Sequence, residues 1–415
     1  MLRCNRKAGP AAGGGATMGH RILTIAGTRP EAIKLAPVAL GAARRPGLDL
    51  RLVATGQHDT MFEQVIDAFG VTVDRHLALA EPGQSIEALA ARVADAIRRL
   101  IDELDPALIL VQGDTTSAWA AAKAANQAGV PVGHVEAGLR SHDMALPWPE
   151  ERNRVEIDAM ASLLFAPTDD SRHNLLCEPA VTGAIHVTGN TGIDALLAMR
   201  ARVGLHSPED SRKLILVTCH RRENIGAGIA GICDALHRLA ERSDVRIVLP
   251  VHPNPAVRGG VESALAGTSI ELVPPLGYPE MVRFLVSAHL ILSDSGGLQE
   301  EAPALGIPLL VMRDNTERPE ALACGNIALV GTDSARIIAE ATRLLDDPAA
   351  HAVMARPAFP YGRGDAAEKI LDIIEDWLAK GHETSLPARE GLGVGASPRA
   401  KDIREGRNPP PTSSS

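Results

Sequence analysis

Residues 21–34 read RILTIAGTRPEAIK. The run from Ile22 to Ala26 carries no charge and closes on Gly27, as a short buried strand does. Thr28 then stands where a helix N-cap belongs. Pro30 suits the first helical turn, because the N–H it lacks has no partner there anyway. A strand feeding directly into a helix opens a βαβ unit. The start of such a helix attracts phosphate, and Arg29 and Lys34 add two positive charges. A capped surface helix with solvated charges is the competing account. The turn is neither GxGxxG nor a Walker A loop, so it implies neither NAD nor ATP.

The same alternation continues on both sides. LRLVAT (50–55), ALILVQGD (107–114) and VPVGHVE (130–136) are further strand-like runs. Between them SIEALAARVADAIRRLIDEL (85–104) spaces its apolar residues by three and four, as one face of a helix requires. The pattern restarts with KLILVTCH (213–220), VRIVLPVH (245–252), IELVPPL (270–276), LILSDSGG (290–297) and IPLLVM (307–312). The expectation is an α/β chain of two Rossmann-like domains, residues 19–190 and 200–360, with a final helix over 364–380. Ligands of such folds bind outside the carboxyl ends of the strands, which here means the interdomain cleft. Residues 1–18 and 381–415 have the composition of disordered extensions, and the first 18 lack the apolar centre of a signal peptide.

Composition narrows the class. A chain of 415 residues suggests two or three domains at roughly 100–200 residues each. Aromatics are only 2%, so the core must be aliphatic. A net charge of −9 argues against nonspecific nucleic-acid binding. The longest apolar runs are too short to span a membrane. The five cysteines are odd in number, widely spaced and without CxxC, as free thiols of a reducing cytoplasm would be.

Polar residues gather at the strand ends. Asp114 follows ALILVQG, where capping the next helix is its alternative role. HVEAGLRSHDMALPWPEER (134–152) places Glu136, Asp143, Glu150 and Glu151 around one loop. His220, Arg221 and Arg222 set three cations at a strand end, which suits a diphosphate. His252 lies between prolines that hold it extended, and a buried structural histidine accounts for it equally well. In DSGGLQEEA (294–302), Ser295 leads into Gly296 and Gly297, whose backbone N–H groups can approach an anion. Glu301, placed near the first turn of the helix that follows, can accept from ribose hydroxyls or pair with the helix dipole.

These motifs carry a resemblance. GTRPEAIKLAPV, TGQH, GDTTSA, GHVEAGLRS, PWPEERNR, FAPT, TGNTGIDAL, HRREN, PVHPNP, DSGGLQEEAP and RDNTERPEA occur in one order over about 20–380. Together they resemble the non-hydrolysing UDP-N-acetylglucosamine 2-epimerases. The resemblance implies a glycosyltransferase-B-type fold, usually homodimeric, that interconverts UDP-GlcNAc and UDP-ManNAc through 2-acetamidoglucal. It implies no metal and no cofactor, a cytoplasmic enzyme, and a UDP-sugar as the partner. Asp114, Glu136, Glu150 and His220 match its catalytic residues. Arg29, Lys34 and His220 match residues near the diphosphate. Ser295, Gly296, Gly297 and Glu301 match the nucleotide-binding turn, and His252 joins the substrate-binding set. Some members also carry an activating UDP-GlcNAc site near TGQH; here Asp59 and Thr60 replace its usual Arg and Gln. A hydrolysing relative releasing ManNAc, a 2-epimerase of a UDP-diacetamido uronic acid, and a transferase or binding protein on the same fold are the alternatives. Cys219, before HRREN, is expected to pack rather than react.

Overall fold

The structure is a computed structural model that describes residues 19–381, apart from 57–59, 82, 146, 205–209, 220–226, 252–254 and 317. Its first half contains β1 (His20–Ala26), α1 (Arg29–Ala42), β2 (Leu48–Ala54), α2 (Thr60–Phe69), β3 (Arg75–His76), α3 (Ile86–Leu104), β4 (Leu108–Gln112), α4 (Thr116–Gln127), β5 (Val132–Val135), α5 (Glu150–Met160), β6 (Leu163–Ala166), α6 (Asp169–Cys177) and β7 (Ala184–Val187). Helix α7 (Thr191–Val203) leads to β8 (Lys213–Thr218), α8 (Ala227–Ala240), β9 (Val245–Pro250), α9 (Pro255–Ala264), β10 (Glu271–Val273), α10 (Tyr278–Ser287), β11 (Leu290–Ser293), α11 (Gly296–Leu305), β12 (Leu309–Val311), α12 (Pro319–Ala323), β13 (Ile327–Leu329), α13 (Ser334–Asp346) and α14 (Pro348–Met354). The last helix is α15 (Ala366–Ala379).

Local chemistry explains these elements. Ser85 caps α3 by accepting from the Ala88 N–H at 3.1 Å. That helix buries Ala90, Val93, Ala96, Ile97 and Leu100 along one stripe. Strand β4 is buried at all five residues, as a central parallel strand covered on both faces must be.

Two sheets result, ordered β3-β2-β1-β4-β5-β6-β7 and β10-β9-β8-β11-β12-β13, with every pairing parallel. The strand order reverses between β1 and β4 in the first sheet and between β8 and β11 in the second. A crevice opens at such a reversal, because the flanking helices leave on opposite faces. Thr218 pairs with Ser293 at the end of β8 and β11. Their hydroxyls meet at 2.6 Å, so the two turns leave side by side.

The largest apolar cluster runs from the inner face of one sheet to that of the other. Leu35 and Val38 of α1, Ile193 and Leu196 of α7, Leu285 of α10 and Ile370 and Ile374 of α15 fill it. It is mostly aliphatic; Tyr361, Phe69 and Phe165 are the aromatic exceptions among the largest fully buried side chains. Helix α15 returns to the first half, where Glu368 and Glu375 meet Arg45 at 2.6 and 2.7 Å. Asp194 accepts from the Ala366 and Ala367 N–H groups at its start.

The two-sheet α/β architecture agrees with the sequence. The strands named from it do not exhaust the sheets: β3, β6, β7 and β13 also belong. The expected disordered extensions lie outside the described residues. No described helix is long and apolar enough to cross a membrane.

Candidate active site

At the first strand reversal the turn after β1 lies against α4. A Cβ added to Gly27 would come 2.6 Å from Ser117 Oγ and 2.8 Å from Thr55 Oγ1. Thr28 holds the N-cap position of α1, but its side chain does not cap the helix. Its hydroxyl donates instead to Glu31 at 2.7 Å. Glu31 also accepts from the Gly27 N–H at 3.0 Å and from the Thr115 hydroxyl at 2.8 Å. One buried carboxylate thus ties the GTRPE turn to the turn after β4. Burial pushes its carboxyl up to about 7, against the hydrogen bonds that pull it down.

Asp114 does not cap α4. Thr115 takes that position and accepts from the Ala118 N–H at 3.0 Å. The Asp114 side chain meets the Arg154 guanidinium of α5, and the Asn153 amide holds its carbonyl at 2.9 Å. Arg154 also reaches Glu151 at 3.0 Å. Glu151 in turn accepts the Ser141 and His142 N–H groups at 3.0 Å. The acidic loop is therefore divided: Glu151 is buried and structural, Asp143 is exposed, and Glu150 opens α5. Glu150 Oε2 is buried with no hydrogen-bond partner among the described residues.

Glu136 follows β5 in a left-handed conformation, φ 70°. For a side chain of this size that costs about 1–3 kcal/mol. The surroundings hold it there. Lys34 Nζ lies 2.5 Å from Oε1, Asn190 Nδ2 donates to the same oxygen at 3.3 Å, and the Gln112 amide donates to Oε2. Burial raises the Glu136 pKa, but the Lys34 ammonium outweighs it and leaves the carboxyl below the usual range. Lys34 also stands 4.0 Å from Glu300 of α11, and Asn190 bonds Glu300 at 2.8 Å. The cation expected near a diphosphate is thus committed to two carboxylates from opposite halves of the chain.

In the second half, Ser295 holds the N-cap of α11 without capping it through its side chain. Gly296 lies under Arg318: a Cβ there would come 2.8 Å from the guanidinium, which Glu300 pins at 2.7 Å. Gly297 is exposed. Glu301 sits in the second turn of α11, not the first, so pairing with the helix dipole does not explain it. Burial and then the charge of Glu300 push its carboxyl up to about 8, against Lys34 and Arg29. Arg29 approaches Met61 Sδ at 4.0 Å. Burial, and then the charge of Asp294, raises the Cys219 thiol far above its usual value, so it stays protonated and packs against the second-sheet core. His220 and His252 lie outside the described residues, as do Gln57, His58 and Asp59.

A cavity of about 700 Å³ opens between Ser141, His142, Asn174, Arg313, Thr316 and Glu320, bordered by the acidic loop, α6 and the segment after β12. A larger one, about 1120 Å³, lies at the amino edge of the second sheet, around Lys213, Arg246 and Glu271. It lies at the end of the strands opposite their carboxyl edge, and Arg246 is already paired with Glu271 at 2.7 Å. The smaller cavity borders the acidic loop, but Asp114, Glu136, Glu150 and Lys34 are not among its lining residues. No group of three or more His, Cys, Asp or Glu able to hold a metal occurs among the described residues.

Sequence reasoning gave no role to Glu31, Gln112, Asn190, Glu300, Arg154 or Arg318. Glu31 and Glu300 alone left a signal, as carboxylates among apolar helix positions. The Asn190 and Gln112 contacts join positions 54 and 24 residues apart and left none.

The fold defines a two-sheet α/β chain of the glycosyltransferase-B architecture, with carboxylates gathered past the ends of its strands. The glycosyltransferase SnogD from Streptomyces nogalater shares the fold at TM-score 0.54 and 16% identity, over 86% of this chain and all of that one. The family model described as UDP-N-acetylglucosamine 2-epimerase matches residues 41–375. A UDP-N-acetylglucosamine 2-epimerase of Escherichia coli strain K12 is 43% identical over 370 residues, 86% of this chain and 98% of its own. The crystal structure of UDP-GlcNAc 2-epimerase from Neisseria meningitidis bound to UDP-GlcNAc superposes with TM-score 0.80 at 39% identity, over 86% of this chain and all of that one. The chain belongs to the UDP-N-acetylglucosamine 2-epimerase family of isomerases.

Proposed function

We propose that the protein interconverts UDP-GlcNAc and UDP-ManNAc by eliminating UDP and adding it back. The C2 hydrogen of the sugar has no adjacent carbonyl and is not acidic. Departure of UDP from C1 must lead, building positive charge at C1 that makes the C2 proton removable. The products of this half-reaction are 2-acetamidoglucal, UDP and a proton held by an enzyme base. Return of a proton to the other face of C2, with UDP rejoining C1, completes the epimerisation. The net change is redox-neutral, so it needs no hydride carrier, and it needs no metal.

Two faces require more than one proton-carrying group. Asp114, Glu136 and Glu150 take the acid–base and cation-stabilising roles, with His220 beside the leaving diphosphate. Glu136, held ionised by Lys34, suits a base or a stabiliser of the developing cation. Arg29, Lys34, His252, Ser295, Gly296, Gly297 and Glu301 bind the substrate, and Lys34 does so while oriented by Glu136. Closure of the cleft keeps water from the glucal. On this reading residues 19–190 form the domain of the acid–base groups, 200–360 the UDP-binding domain, and the enzyme works as a cytoplasmic homodimer supplying ManNAc-type sugars for surface polysaccharide.

The single observation that supports the reading best is the placement of Asp114 after β4 and Glu136 after β5, beside the first strand reversal. Incubation with UDP-GlcNAc in D2O, followed by NMR, tests it. Deuterium at C2 of UDP-ManNAc is expected. Epimerisation without deuterium removes the proton-transfer mechanism. Free ManNAc indicates the hydrolysing reaction, and binding without turnover indicates another sugar or a transferase.

A further inference from the structure

His134 lies on β5, two residues before Glu136, and is fully buried. Its Nδ1 is 2.6 Å from Asp158 Oδ1, and its Nε2 is 2.8 Å from the Gly113 carbonyl oxygen. A carbonyl oxygen only accepts, so Nε2 carries a proton. Asp158 Oδ2 accepts from Arg140 Nη2 at 2.7 Å and from the Gly138 N–H at 3.1 Å. Two donors on one oxygen mark an ionised carboxylate. Burial pushes the Asp158 carboxyl up, but His134 and Arg140 outweigh it and hold it below the usual range. The ring thus bridges the Asp158 carboxylate and the Gly113 carbonyl. Arg140 bonds Glu178 through Nε at 2.6 Å and Nη2 at 2.8 Å. His134, Asp158, Arg140 and Glu178 thus form one chain of bonds.

The bonds of this quartet fall on the backbone beside the two acid–base candidates. Gly113, φ +67°, directly precedes Asp114. Its N–H is held by the Val135 carbonyl at 3.0 Å and its own carbonyl by the His134 ring. The Gly138 N–H held by Asp158 lies two residues past Glu136. We propose that His134 is a positioning residue for catalysis: through the Gly113 carbonyl it holds Asp114 in its working place, while Asp158 and Arg140 hold the turn after Glu136. The inference rests on reading Asp114 and Glu136 as catalytic carboxylates.

Two substitutions separate the ring nitrogens. An Asn amide reaches the place of Nδ1, and a Gln amide reaches that of Nε2. His134→Asn therefore keeps a donor for Asp158 and drops the Gly113 bond. His134→Gln keeps the donor to Gly113 and drops the Asp158 bond. Both lose the buried ring, so a merely structural role lowers Tm in both and does not divide their kcat. The expected result is a loss of about 100-fold in kcat for His134→Asn, the scale of an ångström-level misplacement. His134→Gln should stay at least about 10-fold faster than that, and Kd for UDP should be unchanged in both. Equal kcat values, or a faster Asn variant, overturn the proposal. Should either variant fail to fold, Asp158→Asn carries the test. The new amide can still donate to His134 Nδ1 and leave Nε2–H on Gly113, so kcat should stay at least about 10-fold above that expected of His134→Asn; a matching loss overturns the idea. Wild-type turnover, measured first, checks the functional reading separately. Independently of turnover, ring 15N shifts report a protonated Nε2 in His134, and a ring protonated at Nδ1 alone overturns the inference.

Discussion

The carboxyl edges of the two sheets follow one plan but treat their carboxyl groups differently. At the first edge Glu136 meets Lys34, Asp114 meets Arg154, and Asp158 meets His134 and Arg140. At the second, Glu301 is pushed up to about 8, because burial and Glu300 outweigh the pull of Lys34 and Arg29. At neutral pH Glu136 is therefore an anion and Glu301 mostly a neutral acid. The contrast separates two tasks. Glu136 is fixed and ionised before substrate arrives, which electrostatic catalysis favours. The group expected to bind ribose is left in an unfavourable environment that a ligand can improve.

The largest effects should come from the first edge. Glu136→Gln and Asp114→Asn are each expected to bind UDP-GlcNAc but to lose at least ~100-fold in kcat, measured by NMR turnover. A near-normal rate in either removes that residue from the mechanism. Lys34→Met leaves Glu136 and Glu300 without the cation between them. It should destabilise the fold by about 3–5 kcal/mol in urea unfolding, the usual effect of breaking a buried pair. Without Lys34 the Glu136 carboxyl loses the largest pull on it, leaving Arg318 and Arg154, so the acid limb of kcat against pH should move to higher pH. An unmoved limb would mean that Lys34 does not set the charge of Glu136.

The second edge should respond to pH instead. If ionised Glu301 accepts from ribose, UDP-GlcNAc affinity rises by up to about tenfold per pH unit below pH 8 and levels above it. Glu301→Gln should flatten that slope, and calorimetry from pH 6 to 9 reads it. The stability effect has the opposite sign. The folded carboxyl, at about 8, lies above its ordinary value of 4.5. The stability linked to its proton is complete below that value and is lost as pH rises toward 8. Glu301→Gln should thus raise the Tm of the ligand-free protein at pH 8 and change it little near pH 4.5.

How far the sequence reaches follows the same division. Uncharged runs ending in Gly or Asp located the strands that carry the site, because burial on both faces leaves an unbroken apolar pattern. Strand β3 has two residues and β7 reads AIHV with exposed ends, so neither leaves that pattern. Asp114 and Glu136 could be named because each stands just past a strand end, and Glu301 because it follows the Gly296–Gly297 turn. Their partners could not. Arg154 lies 40 residues from Asp114, and Lys34 lies 102 from Glu136. Such pairings come from the strand order of the sheet, which local pattern does not encode. The N-cap of α4 shows the smallest failure: Asp and Thr both suit it, and only the bond from Ala118 to Thr115 decides.

The finest comparison sets one glycine against another. Gly27 follows β1 and Gly297 follows β11, and both precede or open a helix. A methyl group on Gly27 would meet Ser117 and Thr55 at 2.6–2.8 Å, two side chains hydrogen-bonded to each other at 3.0 Å. A methyl group on Gly297 would meet only Ser295 Oγ, at 3.9 Å. Gly27→Ala should therefore cost about 1–3 kcal/mol by overpacking, since neither neighbour can yield without breaking the other's bond. Gly297→Ala lies in the first turn of α11 and should be neutral, or more stable by up to about 1 kcal/mol. If Gly297 is present so that its backbone can approach a phosphate, the same variant must weaken UDP binding while leaving Tm intact. Unchanged UDP affinity in Gly297→Ala would leave Gly296, packed under Arg318, as the glycine that the turn requires.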